Sequence, residues 1–322
     1  MSANESENEI ETPVTSSQTA EPGAPAETRA GFVALIGAPN AGKSTLLNRL
    51  VGAKLSIVTH KVQTTRAIMR GVAMHEASQI IFVDTPGIFA PKRRLDRAMV
   101  DTAWGGAEGA DIVALLIDAR KGIDDEIAPI LKRLAELKRH KVLILNKIDL
   151  TKREELLALA SRANAEVGFD RTFMISALDG DGADDLLNYF AQELPTGPWL
   201  YPEDQISDLP LRMIAAEITR EKLFLRLHQE IPYASTVETT QWKELKDGSA
   251  RVEQTVYVER ESQKKIVLGK GGQTIKAISQ GARQDIAAMA ERPIHLFLFV
   301  KVRENWGNDP ERYREMGLEF PR

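Results

Sequence analysis

The sequence has no cysteine, which excludes a disulfide framework, a thiolate metal centre and a cysteine nucleophile. Histidine is scarce, with 5 residues, so little of the chemistry can rest on imidazole. No stretch approaches the ~18 consecutive apolar residues of a membrane span. The N-terminus has no basic segment followed by an apolar one, so no secretory signal is expected and the expected address is the cytoplasm. Positive charge is not in excess either: 42 Lys and Arg stand against 46 Asp and Glu, a net charge of −4. Any contact with nucleic acid must therefore come from a local patch rather than from the field of the whole molecule. What is present is ordinary globular composition, 43% hydrophobic and 27% charged over 322 residues, enough for about two domains of ~150 residues each.

Residues 1–29 carry 6 acidic side chains, a single base and almost no large apolar group, the composition of a disordered, solubilising tail. From Gly31 the texture changes. Near-continuous apolar runs at 32–36, 79–83, 111–117, 141–145 and 172–175 alternate with helical patterns at 43–51, 95–108, 124–138 and 152–165. Apolar runs of this kind mark strands buried on both faces, so residues 30–196 are expected to form an α/β domain, a mostly parallel sheet with helices on both faces. Three prolines between 195 and 202 break both periodicities and place a linker at 197–207. Beyond it the order is a helix (209–227), two β-like runs (234–242, 251–259), two helical segments around a glycine turn and an apolar strand (294–302). That is an α+β plan, so 208–322 reads as a second domain.

Directly after the first strand stands Gly37-Ala38-Pro39-Asn40-Ala41-Gly42-Lys43-Ser44, followed by Thr45. Strand before and helix after is the context of a phosphate-binding P-loop. Its backbone amides are expected to curl around phosphate oxygens, Lys43 to bridge the terminal phosphates and Ser44 to coordinate Mg²⁺. A second strand ends in Asp84-Thr85-Pro86-Gly87, with Asp84 placed for Mg²⁺ and the Gly87 amide for a γ-phosphate. Asn146-Lys147-Ile148-Asp149 follows a third strand. A carboxylate at 149 accepts hydrogen bonds from guanine N1–H and its exocyclic amine, donors that adenine does not offer in that arrangement, so GTP/GDP is the expected nucleotide. Lys147 would lie along the purine face and Asn146 would tie the base loop to the phosphate loop. Ser176-Ala177-Leu178, after the last strand, should supply a backbone amide to guanine O6. A metabolic P-loop kinase conflicts with the 146–149 motif.

Between the first two motifs lies Lys61-Val62-Gln63-Thr64-Thr65-Arg66, where a switch threonine should bind Mg²⁺ and sense the γ-phosphate. Spacing leaves Thr64 and Thr65 as alternatives. The position that in Ras-like enzymes holds a water-orienting glutamine is Ile88 here, so slow intrinsic hydrolysis is expected. Arg66, Arg93 and Arg94 flank the switches and read as solvated charges rather than as an arginine finger. By resemblance to GTPases with an apolar residue in place of that glutamine, which use a phosphate-loop asparagine to help hold K⁺, Asn40 is the candidate for K⁺ in an arginine's place.

In the second domain, Gly269-Lys270-Gly271-Gly272 joins two helical segments, a turn in which missing side chains let a nucleic-acid backbone approach. Between 259 and 303 there are 9 bases against 4 acids, with Lys264, Lys265, Lys270 and Lys276 closest to the turn. That is the local excess that binding to phosphates needs.

The form of the phosphate loop, the Gln63-Thr64-Thr65-Arg66 switch, the run from Trp199 through Tyr201 and Pro202 to Asp208, and the stretch 217–239 together resemble the Era family of bacterial GTPases, over nearly everything from 31 to 302. The resemblance implies a P-loop G domain followed by a type II KH domain. It implies as partners the 3′ region of 16S ribosomal RNA and the 30S subunit, with a role in rRNA maturation and subunit assembly. It also implies peripheral attachment to the cytoplasmic face of the inner membrane, and a monomer is the expected state. The alternative is a GTP-dependent module acting on that membrane surface or on a protein, with the glycine turn purely structural.

Overall fold

The computed structural model describes residues 27–59, 61, 65–66, 68–304, 306–315 and 318–321. The expected acidic tail, apart from its last three residues, and Val62, Gln63 and Thr64 of the switch lie outside the described residues.

The first unit is a six-stranded sheet in the order β2-β3-β1-β4-β5-β6, built from β1 (Arg29–Ile36), β2 (Met69–His75), β3 (Ser78–Asp84), β4 (Ile112–Asp118), β5 (His140–Asn146) and β6 (Arg171–Ile175). Only β2 runs antiparallel, paired with β3. Every residue of β3 and of β4 is buried, as strands covered by helices on both faces must be. One face is covered by α1 (Lys43–Val51) and α5 (Ala183–Glu193) through Leu46, Leu47, Leu186 and Phe190. The other is covered by α2 (Arg94–Gly109), α3 (Ile127–Glu136) and α4 (Arg153–Val167) through Trp104, Ile130, Leu134, Leu156 and Leu159. Because β1 lies between β3 and β4, the strand order reverses beside it. In open α/β sheets the crevice at the carboxyl ends of such strands is where ligands bind.

The second unit comprises α6 (Leu211–Arg226), β7 (Ser235–Glu244), β8 (Ala250–Val258), α7 (Glu261–Leu268), α8 (Gln273–Met289), β9 (Ile294–Val302) and a short α9 (Pro310–Glu315). Its sheet has the order β7-β8-β9, with β8 and β9 parallel. The αββααβ order expected from the sequence is the order observed.

The proline-rich stretch expected to be a linker is strapped to the edge of the first sheet. Trp199 Nε1 donates to the Ala77 carbonyl at 3.1 Å, and the amides of Leu200 and Tyr201 donate to Gln79 Oε1 at 2.8 and 2.9 Å. The Val72 amide donates to the Ile206 carbonyl at 2.9 Å. Prolines cannot continue a helix or a central strand, but their neighbours can satisfy an exposed edge. The apolar cluster under α1 and α5 also takes in Ile214 and Ile218 of α6 and Ile286 of α8, so the two units share apolar contact there.

Candidate functional site

All the nucleotide motifs found in the sequence converge at the carboxyl ends of β1, β3, β5 and β6. There they line a cleft of about 390 Å³ that contains Pro39, Asn40, Gly42, Lys43, Ser44, Thr45, Thr65, Gly87, Asn146, Lys147, Asp149, Ser176 and Ala177. A larger groove of about 810 Å³ between α2 and residues 319–321 contains none of them, and its lining offers no phosphate cradle.

The phosphate loop turns sharply because Asn40 and Gly42 have φ of 63° and 105°. A Cβ on Gly42 would collide with Asn146 Nδ2, so this glycine is required by space as well as by backbone angle. Ala38 and Ala41 are buried under the turn. Lys43 is 6% exposed, and its Nζ donates to the Gly37 and Ala38 carbonyls at 3.1 Å each. Burial lowers its pKa to about 8, against the opposing pull of Asp84. The ammonium therefore sits poorly solvated at the loop's mouth, where a polyphosphate would satisfy it.

Asp84 is fully buried, and one oxygen, Oδ2, accepts from Ser44 Oγ at 2.9 Å, Ser56 Oγ at 2.7 Å and Thr65 Oγ1 at 3.2 Å. Its other oxygen, Oδ1, is buried with no hydrogen-bond partner among the described residues. Burial raises its pKa, with Lys43 and the three hydroxyls acting against it. Ser44 Oγ and Thr65 Oγ1 are 3.0 Å apart. A carboxylate with an unsatisfied oxygen beside two hydroxyls is an all-oxygen donor set that suits magnesium. Of the two switch threonines, Thr65 is the one seen in this cluster, and Thr64 lies outside the described residues.

The remaining residues of that motif divide. The Ile88 amide donates to the Gly37 carbonyl at 3.0 Å, and Gly87 packs on Pro39 so closely that a Cβ would lie 3.0 Å from its Cα. Pro86 is buried. Thr85, expected at the nucleotide, instead donates its hydroxyl to the Leu35 carbonyl at 2.8 Å and is buried in the sheet. Its role is to join β3 to β1.

In the base loop Asn146 does what its position suggested. Its Nδ2 donates to the Ala41 carbonyl at 2.8 Å and its Oδ1 accepts the Ala177 amide at 2.9 Å. The second contact ties the 176–178 turn to the base loop. Ser176 bonds Asp179 within its own turn at 3.0 Å. Lys147, itself at φ 67°, donates to the Asn40 carbonyl at 2.7 Å and to Asp118 Oδ2 at 2.8 Å, so its stem spans both loops. Ile148 packs beneath the loop, and Asp149 is exposed in the cleft.

Asp118 and Arg120 also line this cleft and were not among the residues the sequence pointed to. The signal was an acid at the end of an apolar run, as at Asp84. Burial alone would raise the Asp118 pKa, but hydrogen bonds from Arg120 at 2.6 and 3.0 Å and from Lys147 hold it down at about 2. Since its folded value lies below the ordinary 3.8, the ionised carboxylate contributes stability above about pH 4 that is lost as pH falls through 2. Asp118→Asn is expected to cost about 2 kcal/mol near neutrality. In denaturant titrations the gap from wild type should close on acidification from pH 5 to 2.

The second candidate site is the turn between α7 and α8. Gly269 leaves no room for a Cβ against Thr274, whereas Gly271 and Gly272, at φ 60° and 76°, face open space. Lys265, Lys270 and Lys276 are exposed around it, and Lys264 is half-buried beside Glu261 at 3.7 Å. Amides at the start of α8 and a ring of lysines suit a phosphodiester backbone.

Residues 32–147 match the family described as 50S ribosome-binding GTPase, and residues 230–307 match the KH domain. The chain is 68% identical to GTPase Era of Sinorhizobium medicae (strain WSM419) over 295 residues, covering 92% of this chain and 95% of that one. Two solved structures, an Aquifex aeolicus Era variant bound to GDP·AlF4⁻ and Era with MgGDPNP and nucleotides 1506–1542 of 16S ribosomal RNA, each superpose with a TM-score of 0.85 at 37% identity. Each covers 90% of this chain and 99% of its own.

Proposed function

The chain belongs to the Era family of GTPases, and from that premise we propose that it is a GTP-hydrolysing switch that grips the 3′ region of 16S ribosomal RNA and acts in rRNA maturation and assembly of the 30S subunit. The observation that carries this reading is the meeting, in one cleft, of a carboxylate at 149, the phosphate loop and the hydroxyls of Ser44 and Thr65, both bonded to the buried Asp84 behind them, in a chain that also bears a glycine clamp ringed by lysines.

In this reading Lys43 neutralises the terminal phosphates, the Gly87 amide meets the γ-phosphate, and Ser44, Thr65 and Asp84 hold Mg²⁺, which supplies charge neutralisation on the phosphate oxygens. Asn146 and Lys147 keep the base loop in register with the phosphate loop. Ile88 is 7% exposed and apolar, so no side chain at that position orients the attacking water, and unassisted turnover is slow. Asn40, in the strained part of the loop, is the residue assigned to K⁺. GTP turnover is expected to be about tenfold faster in K⁺ than in Na⁺, a modest share of what an arginine finger gives. Asn40→Ala should remove the difference, and equal rates in the two salts would refute the assignment.

RNA enters through the turn at 269–272. A Cβ at Gly272 would meet nothing within 4 Å, so Gly272→Asp adds a negative charge to the clamp without a clash, at the cost of a left-handed backbone angle of 76° that Asp tolerates better than most residues. It should weaken RNA binding by about tenfold or more while GTP affinity is retained. Crosslinking with a GTP analogue bound, followed by mapping of the linked nucleotides, tests both domains together: links near the 16S 3′ end support the function, and links scattered without sequence or nucleotide dependence contradict it. A monomeric state and peripheral attachment to the inner membrane are the finer parts of the reading. Sedimentation velocity and co-sedimentation with anionic vesicles test them. No helix among the described residues is long and apolar enough to cross a membrane.

A further inference from the structure

Arg66 was expected to be a solvated charge, and it is 4% exposed. Its Nη1 donates to the Ser235 carbonyl at 2.8 Å, and its Nη2 donates to the carbonyls of Tyr233 and Pro232 at 3.0 and 3.2 Å. The guanidinium also lies 5.6 Å from the ring centroid of Trp306 and 5.9 Å from that of Phe224. All five partners belong to the second domain. A desolvated guanidinium gives up all three backbone acceptors if it moves, so the residue is pinned. The preceding residue is Thr65, whose hydroxyl lies 3.0 Å from Ser44 Oγ and 3.2 Å from Asp84 Oδ2. Across one trans peptide the two Cα atoms are 3.8 Å apart, so the threonine cannot leave the cluster far without dragging the arginine from its carbonyls.

Other described residues of the same segment lean the same way. Lys61 Nζ donates to the carbonyls of Phe224 and Leu227 at the end of α6, where cations suit a helix C-terminus. The Val58 amide donates to Glu221 Oε1 at 3.2 Å, and Lys54 bridges Glu221 and Asp285 at 2.6 and 2.8 Å.

We infer that Arg66 is a positioning residue for GTP hydrolysis: by docking on the carbonyls of Pro232, Tyr233 and Ser235 it sets Thr65 against Ser44 and Asp84, so that the RNA-binding domain completes the magnesium and γ-phosphate end of the site. The inference rests on the proposed role of Thr65. Its consequence is reciprocal. GTP and magnesium strengthen the docking of the second domain, and whatever displaces that domain weakens GTP by the same factor.

The test uses the full chain with MgGDPNP and MgGDP as probes in titration calorimetry, together with single-turnover hydrolysis. Arg66→Ala is expected to weaken MgGDPNP about tenfold or more, to raise the Mg²⁺ concentration needed with GDPNP, and to leave MgGDP affinity within about twofold. Arg66→Lys, which keeps the charge but not the forked geometry, should recover part of the loss, and it supplies the same ratio if the alanine variant proves unstable. Trp306→Leu, on the second-domain side, should shift the ratio in the same direction. Equal losses for GDPNP and GDP, or no loss for either, overturn the inference. Thr65→Ala separates the two readings: if it leaves the GDPNP to GDP ratio unchanged, the role of Thr65 fails and the inference falls with it. If it collapses the ratio and Arg66→Ala does not, only the inference fails.

Discussion

Replacing Asp149 with asparagine is expected to move the base preference from guanine to xanthine. The Asp149 carboxylate stands exposed in the cleft between the phosphate loop and the 176–178 turn. Against guanine it accepts from N1–H and the exocyclic amine. An asparagine there presents one acceptor and one donor, so the amine meets a donor and one hydrogen bond becomes a clash of like groups. A site built to hydrogen-bond a donor discriminates strongly once that pairing is lost, and GTP affinity should fall by about a thousandfold. Xanthine carries a carbonyl where guanine has the amine, so xanthosine triphosphate should bind the variant better than GTP does. Competition titrations with a fluorescent nucleotide read both changes. The supporting network of Asn146, Lys147 and Asp118 touches neither base-reading atom, and it keeps the loop in place in the variant.

Lys43→Ala should be the most damaging single change for turnover. The Nζ is buried and held by two carbonyls of its own loop, with its pKa lowered by burial to about 8, so a polyphosphate is its natural counter-charge. Removing a positioned cation from a water-poor site costs about a hundred- to a thousandfold in kcat where charge develops in the transition state. In single-turnover hydrolysis the loss should appear in kcat/KM and in kcat together. A loss confined to KM would mean that the lysine binds ground and transition states equally. Lys43→Arg is not expected to rescue, because a planar fork cannot replace a compact ammonium between two carbonyls.

Much of this site was legible before any coordinates, because it is made of loops whose residue types are dictated by ligand chemistry and whose positions follow from the apolar runs before them. The phosphate loop, Asp84, and the 146–149 motif fall where β1, β3 and β5 end. What was not legible depends on partners distant in sequence. Nothing near Arg66 announces burial, because its acceptors are backbone carbonyls 166 to 169 residues away, and any residue can supply a carbonyl. Asp118 becomes informative only when Lys147 and Arg120 are seen to converge on it. Met69–His75 and Ala183–Glu193 stand outside the expected elements: the first is an edge strand with little alternation, interrupted by Gly71, over which Leu47 and Val51 pack. The second is only 11 residues long. Prolines correctly marked a break after 194, but not that the sheet edge would capture the segment that follows.

The central claim is that guanine nucleotide state governs the grip on RNA, and it is tested most directly by the affinity of the full chain for a 16S 3′-end oligonucleotide, measured with saturating MgGDPNP and again with saturating MgGDP. Coupling of the size typical for switches predicts a ratio of about ten or more between the two states. Equal affinities would contradict the account, whatever the nucleotide site itself does.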